Sequence, residues 1–129
     1  MISVMMIEDS REILALVADL LEQAGPYEVI GNAATEGEGT NWLQENPGRW
    51  DMAIIDLVLR DGSGFNLIRR YRAANEHARI LVLSDYATPN IKVRCVEFGA
   101  DAVFTKADIE GFVNYLSNLR PPTQPIAAH

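Results

Sequence analysis

The amino-acid sequence predicts an α/β domain with a doubly wound, five-stranded parallel sheet. Three observations carry this. Five apolar runs have the length of strands, a stretch with helical periodicity follows each, and the alternation is unbroken along the chain. A strand, a helix and a second strand in one sheet connect right-handed, so the strands lie parallel and helices cover both faces.

The first strand is Ile2 to Ile7, ending at Glu8-Asp9. After it, Ile13, Leu14, Leu16, Val17, Leu20, Leu21 and Ala24 recur at the spacing of a buried helical face, which stops at Gly25-Pro26. Tyr27 to Ala33 is the second strand. Thr35, with Glu38 three residues on, is a capping box for a second helix that Asn46-Pro47-Gly48 ends. Gly37 and Gly39 lower its propensity and make it the least stable helix. Met52 to Ile55 is the third strand, and a third helix opens near Gly64 to bury Phe65, Ile68 and Tyr71. Ile80 to Leu83 is the fourth strand; the helix after it has Thr88 as N-cap, Pro89 at its first position and Gly99 as C-cap. Ala102 to Thr105 is the fifth strand. The last helix starts at Asp108 and turns Ile109, Phe112, Val113, Leu116 and Leu119 toward the core. Residues 1–120 therefore form one domain, and the proline-rich 121–129 reads as a linker or disordered tail. The count corresponds to a flavodoxin-like fold with strand order 2-1-3-4-5.

The chain has 129 residues, 48% apolar and 22% charged, which fits one domain with an ordinary core. A net charge of −7 and a pI near 4.7 argue against direct nucleic-acid binding, which needs a clustered Lys/Arg face. Cys95, the sole cysteine, has no disulfide partner and no zinc spacing, which points to a reducing cytoplasm. The apolar start lacks the basic flank and length of a signal peptide, and no segment is long enough to span a membrane.

In an open parallel sheet, ligands bind beyond the carboxyl ends of the strands. Four strands end in reactive groups: Glu8-Asp9, Asp56, Ser84-Asp85 and Thr105-Lys106. With strands one and three adjacent, Asp9, Asp56 and Glu8 crowd one space. A hard divalent cation neutralises such an oxygen-only cluster, and Mg²⁺ suits it, with Mn²⁺ as a substitute. Lys106 adds an ammonium across the mouth; one Lys-carboxylate contact near 4 Å amounts to roughly 4 kcal/mol at an effective dielectric of 20. A cation and an ammonium together receive an anion, and a carboxylate oxygen of Asp56 is placed to attack a phosphoryl group in line. Ser84 supplies a hydroxyl for a phosphoryl oxygen. The chemistry implied is reversible aspartate phosphorylation.

Glu8-Asp9, Asp56-Leu57-Val58-Leu59-Arg60-Asp61-Gly62-Ser63-Gly64, Leu83-Ser84, Gly99-Ala100-Asp101 and Lys106, in that order, resemble the response-regulator receiver pattern over nearly the whole chain. The resemblance implies that Asp56 is the phosphoacceptor. It makes Asp9, Asp56 and the Val58 carbonyl the Mg²⁺ ligands, with Glu8 reaching the ion directly or through water, and it puts Ser84 and Lys106 on the phosphoryl group. It further implies a phosphohistidine donor on a sensor histidine kinase or histidine phosphotransfer protein, and a downstream effector protein or domain. The implied protein is a cytoplasmic monomer or weak homodimer that catalyses only its own phosphorylation and dephosphorylation.

Several positions depart from the pattern. Ala107 follows Lys106 where the family has a cis-proline, so a trans loop could aim Lys106 differently. Val103 stands where the family has its switch aromatic, and Tyr86 is the residue assigned part of that signal, against the plainer reading of a packed loop tyrosine. Asp85 replaces a small residue and Arg60 a proline. Thr105 reads as a strand residue, Trp42 and Trp50 as packing around the second helix, and His77 as solvent-exposed. The alternative function is a degenerate receiver that binds protein independently of phosphorylation. A flavin carrier ranks lower, because Glu8-Asp9-Ser10 follows the first strand in place of a phosphate-binding loop.

Overall fold

A computed structural model of the chain describes residues 1–119. The elements run β1 (Ile2–Ile7), α1 (Arg11–Ala24), β2 (Tyr27–Ala33), α2 (Glu36–Glu45), β3 (Met52–Ile55), α3 (Gly64–Ala74), β4 (Arg79–Ser84), α4 (Pro89–Phe98), β5 (Ala102–Thr105) and α5 (Ile109–Asn118). All strand pairs are parallel, in the order β2-β1-β3-β4-β5, as the sequence predicts. β4 is one residue longer at each end than its apolar run, because Arg79 pairs with Met52 and Ser84 with Thr105. The linker or tail expected at 121–129 lies outside the described residues.

The central strands are apolar on both faces, and their period of two divides the core. Met5, Ile7, Ala53, Ile55, Ile80 and Val82 meet α2, α3 and α4 on one side; Val4, Met6, Met52, Ile54, Leu81 and Leu83 meet α1 and α5 on the other. Ser10, Thr35, Ser63, Thr88 and Asp108 each cap a helix by accepting a backbone N–H, and Gly25 and Gly99 close α1 and α4. In α1 the buried stripe is Val17 and Leu21, flanked by Ile13, Leu14, Leu20 and Ala24, whereas Leu16 is 42% exposed. In α3 it is Gly64, Leu67, Ile68 and Tyr71, with Phe65 half-buried edge-on against Phe98. Phe112 and Leu116 form the buried stripe of α5; Ile109, Val113 and Leu119 sit half-buried beside it. Trp50 is buried against Tyr71 of α3, ring centroids 5.1 Å apart, and Trp42 of α2 packs on the same core. His77 is exposed.

Gly39 of α2 carries a gain that propensity alone does not show, whereas Gly37 faces open space. A Cβ at Gly39 would come 2.8 Å from Leu67 Cδ1 and 3.2 Å from Ile7 Cδ1, so its absence lets α2 sit down on the sheet and on α3. At that contact the Gly39 carbonyl accepts a buried 2.7 Å hydrogen bond from the Tyr71 hydroxyl. Burial raises the Tyr71 pKa, which keeps the hydroxyl a donor. It likewise pushes the buried Cys95 thiol up to about 11, so Cys95 is packing and not a reactive group. Tyr71→Phe removes this buried hydrogen bond to a carbonyl that the helix itself also serves, and should lower stability by about 0.5–1.5 kcal/mol, read as a lower urea midpoint at unchanged slope.

Candidate functional site

Backbone pairing continues one residue past three strand ends and levels the side chains there. Glu8 N–H donates to the Ala33 carbonyl at 2.8 Å, Asp56 N–H to Ile7 at 2.9 Å, and Lys106 N–H to Ser84 at 3.1 Å. Register sets Ile7 beside Ile55, Ile55 beside Val82 and Ser84 beside Thr105. Glu8, Asp56 and Lys106 therefore leave the sheet on one rim. Ser10 caps α1 immediately beyond and bends the chain away from the carboxylates.

Glu8 and Asp56 are buried and share one ammonium: Lys106 Nζ lies 2.9 Å from Glu8 Oε1 and 3.0 Å from Asp56 Oδ2. Glu8 Oε2 accepts from Ser10 N–H at 3.0 Å, and Asp56 Oδ1 from Val58 N–H at 3.4 Å. Burial raises the Glu8 pKa, and the Asp56 charge adds to this against the hydrogen bonds from Lys106 and Ser10. For Lys106 burial favours the neutral amine, but the hydrogen bonds and charges of Glu8 and Asp56 outweigh it and raise the pKa, so the ammonium is held charged. Asp9 is exposed and completes the cluster: one carboxylate oxygen from each of Glu8, Asp9 and Asp56 lies within 4.8 Å of the others.

Three carboxylates against one ammonium leave an excess of negative charge, and a like-charge pair near 4 Å costs about 4 kcal/mol at an effective dielectric of 20. A divalent cation removes that excess, and all three donors are the hard oxygens that Mg²⁺, Mn²⁺ or Ca²⁺ accept. The donor set therefore fits such an ion. The carboxylates open into a cavity of about 410 Å³ walled by Glu8, Asp9, Ser10, Ile13, Asp56, Val58, Asp85, Tyr86 and Lys106.

The structure thus gathers Glu8, Asp9, Asp56, Val58 and Lys106 around one space. Ser84 is placed differently. It is fully buried beneath the wall, and its hydroxyl oxygen accepts from Tyr86 N–H at 3.2 Å. Tyr86 is 58% exposed at the rim, which rules out a packed loop tyrosine, and Asp85 is exposed beside it. Val103 is half-buried on the α4 side, while Phe104 faces the other way onto Phe112 and Tyr115. The Lys106-Ala107 peptide is trans, and Lys106 still reaches both carboxylates. Ser10 and Ile13 were not picked out as wall residues from the sequence; the capping position just after Glu8-Asp9 is the signal that would have found them.

Comparison with known proteins agrees with this arrangement. Residues 4–116 match the response regulator receiver domain family. The chain is 28% identical over 132 aligned residues to the photosynthetic apparatus regulatory protein RegA of Rhodobacter capsulatus, covering 98% of this chain and 70% of that protein. A similar match, also 28%, is to the acid tolerance regulatory protein ActR of Rhizobium meliloti, of which the chain spans 66%. Among solved structures, a response regulator from Burkholderia pseudomallei with a phosphorylated aspartic acid, calcium ion and citrate is similar at a TM-score of 0.74 and 29% identity. That match covers 92% of this chain and 68% of the other. Receiver domains bind a divalent metal and accept a phosphoryl group as their general role, and the acidic cluster described above is where such a metal would sit. On the match of the family over residues 4–116, the chain belongs to the response regulator receiver domains of two-component signalling.

Proposed function

We propose that this domain accepts a phosphoryl group on Asp56 from a phosphohistidine, in a Mg²⁺-dependent reaction, and thereby switches its binding to other proteins. The observation that carries the reading is the shared contact of Lys106 with Asp56 and Glu8 beside the three-carboxylate cluster. Glu8, Asp9 and Asp56, with the Val58 carbonyl at the cavity rim, would hold the ion. When bound, the ion supplies positive charge for the phosphoryl oxygens and lowers the repulsion between the carboxylates.

This chain's own residues do the rest. The Asp56 carboxylate attacks phosphorus; the P–N bond to the donor imidazole breaks as the O–P bond forms, and the imidazole nitrogen keeps the electron pair. Lys106, held charged and 3.0 Å from Asp56 Oδ2, is at the reach from which it bonds an oxygen of the arriving group. Ser84 is buried and its hydroxyl oxygen accepts from Tyr86 N–H, which leaves its O–H free to donate to a phosphoryl oxygen when the loop between them closes. Closure of the loop carrying Tyr86, which leads into the start of α4, is the switching motion in this reading, and only a difference in binding energy between the two loop arrangements shifts the population. A sensor histidine kinase or histidine phosphotransfer protein as donor, an effector protein as target, a cytoplasmic setting, and no catalysis beyond its own phosphorylation and dephosphorylation complete the proposal.

Incubated with acetyl phosphate and Mg²⁺, the chain should gain the mass of one phosphoryl group, and neither the Asp56→Asn chain nor a chain kept in EDTA should do so. A folded, Mg²⁺-binding chain that stays unmodified would favour the phosphorylation-independent binding module instead. Lys106→Ala should still bind Mg²⁺ yet be labelled about a hundredfold more slowly, as removal of one preorganised charge donor predicts. Tyr86→Ala should keep its labelling rate and lose phosphorylation-dependent partner binding in a pull-down; unchanged binding would remove Tyr86 from the switch.

A further inference from the structure

The segment from Leu57 to Ser63 joins β3 to α3 and carries Val58 at the cavity rim. It is stitched to the first turn of α2. Glu36 N–H donates to the Asp61 carbonyl at 3.0 Å, and Thr35 and Asp61 form a backbone bridge. The Glu36 carboxylate does more: its Oε1 accepts from Ser63 N–H at 2.9 Å, and Asn66 Nδ2 donates to both of its oxygens at 3.4 and 3.2 Å. Gly62 adopts a φ of +83°, and a Cβ there would collide with the Glu36 side chain, so the loop lies directly on it.

Capping does not explain this carboxylate. The Thr35 hydroxyl accepts from Glu38 N–H at 3.1 Å and Glu38 Oε1 from Ala34 N–H at 2.8 Å, so the two ends of the capping pattern are already served. Among the described residues no cation lies within ion-pair distance of Glu36. Its acceptors are spent on Ser63 of the loop and on Asn66 in the first turn of α3. From Ser63 the chain of contacts continues inward, because Val58 and Ser63 form an antiparallel bridge and Val58 N–H donates to Asp56 Oδ1 at 3.4 Å. Lys106 holds the other oxygen.

We infer that Glu36 is a positioning residue for the phosphoacceptor site: through Ser63 and Val58 it sets the rotation of the Asp56 carboxylate and the level of the Val58 backbone, and so the affinity for the divalent cation. The inference rests on the phosphoacceptor reading. A carboxylate free to rotate, beside an unanchored loop, must be ordered when the ion binds, and that ordering weakens the site. What acts is an acceptor atom at the right reach, not a negative charge.

The test is a Mg²⁺ titration of the full chain followed by the backbone amide NMR signals of Asp56 and Val58, with acetyl phosphate labelling measured alongside. Glu36→Ala and Glu36→Asp, which removes or shortens the acceptor, should each raise the Mg²⁺ Kd about tenfold, the lower end of what outer partners of a metal site contribute. Glu36→Gln keeps Oε1 and loses the charge, and should stay within about twofold of the native Kd. Asn46→Ala, which removes a hydrogen bond at the far end of α2, should lower Tm and leave the Kd unmoved. Folded Ala and Asp variants with the native Kd overturn the inference, as does an Asn46→Ala chain that loses Mg²⁺ affinity equally. If the variants behave as stated but the native chain takes no phosphoryl group, the phosphoacceptor reading alone falls. A native chain that binds no Mg²⁺ overturns both.

Discussion

Two buried carboxylates share one ammonium at the carboxyl edge of the sheet, and the arrangement of everything around that edge follows from this contact. Glu8 directly follows β1, Asp56 follows β3 and Lys106 follows β5, so a single cation ties together three strands that are distant in sequence. Removing one member of such a group leaves a charge buried without its partner, which costs about 3–5 kcal/mol. The contact also leaves the cluster short of positive charge, since among the described residues Asp9 joins it with no ion-pair partner of its own. The same electrostatic imbalance bears on the stability of this edge and makes the cluster one that a divalent cation would neutralise.

The positions that differ from the family pattern fall into two groups once the geometry is known. Ala107 is accommodated: the trans peptide after Lys106 does not prevent the amine from reaching both acids, because the Lys106 N–H is anchored to the Ser84 carbonyl. Val103 and Tyr86 describe a different distribution of side chains. Val103 packs on the α4 side, the neighbouring Phe104 is committed to the α5 core, and the exposed aromatic ring is at the cavity rim on Tyr86. Ser84 is buried and engaged with the backbone of the same loop. Serine, tyrosine and the capped start of α4 therefore form one short continuous segment between the cavity and a helix.

Away from the site, Arg72 does for the opposite side of the fold what Lys106 does for the rim. Its guanidinium lies 2.7 Å from Asp101 Oδ2 and donates to the carbonyls of Ala78 and Gly99, while Asp101 accepts from Ile80 N–H. This fixes the end of α3 and the turn before β5 to the start of β4.

The sequence by itself determined the order of elements, the parallel sheet and the group of strand-end residues, because these follow from local rules: apolar period, capping chemistry and the handedness of crossovers. Glu8, Asp9, Asp56 and Lys106 were legible as a site for the same reason, each being the residue at which an apolar strand stops. Tertiary packing decided what such rules do not encode. Leu16 is apolar, yet the angle at which α1 meets the sheet leaves it outside the buried stripe. Gly39 weakens a helix in isolation, and only the approach of Leu67 and Tyr71 turns its missing side chain into a contact. The burial of Ser84 and the grip of Glu36 on Ser63, 27 residues away in sequence, are further examples. Such contacts are set by how whole elements stack, and no spacing within one segment records them.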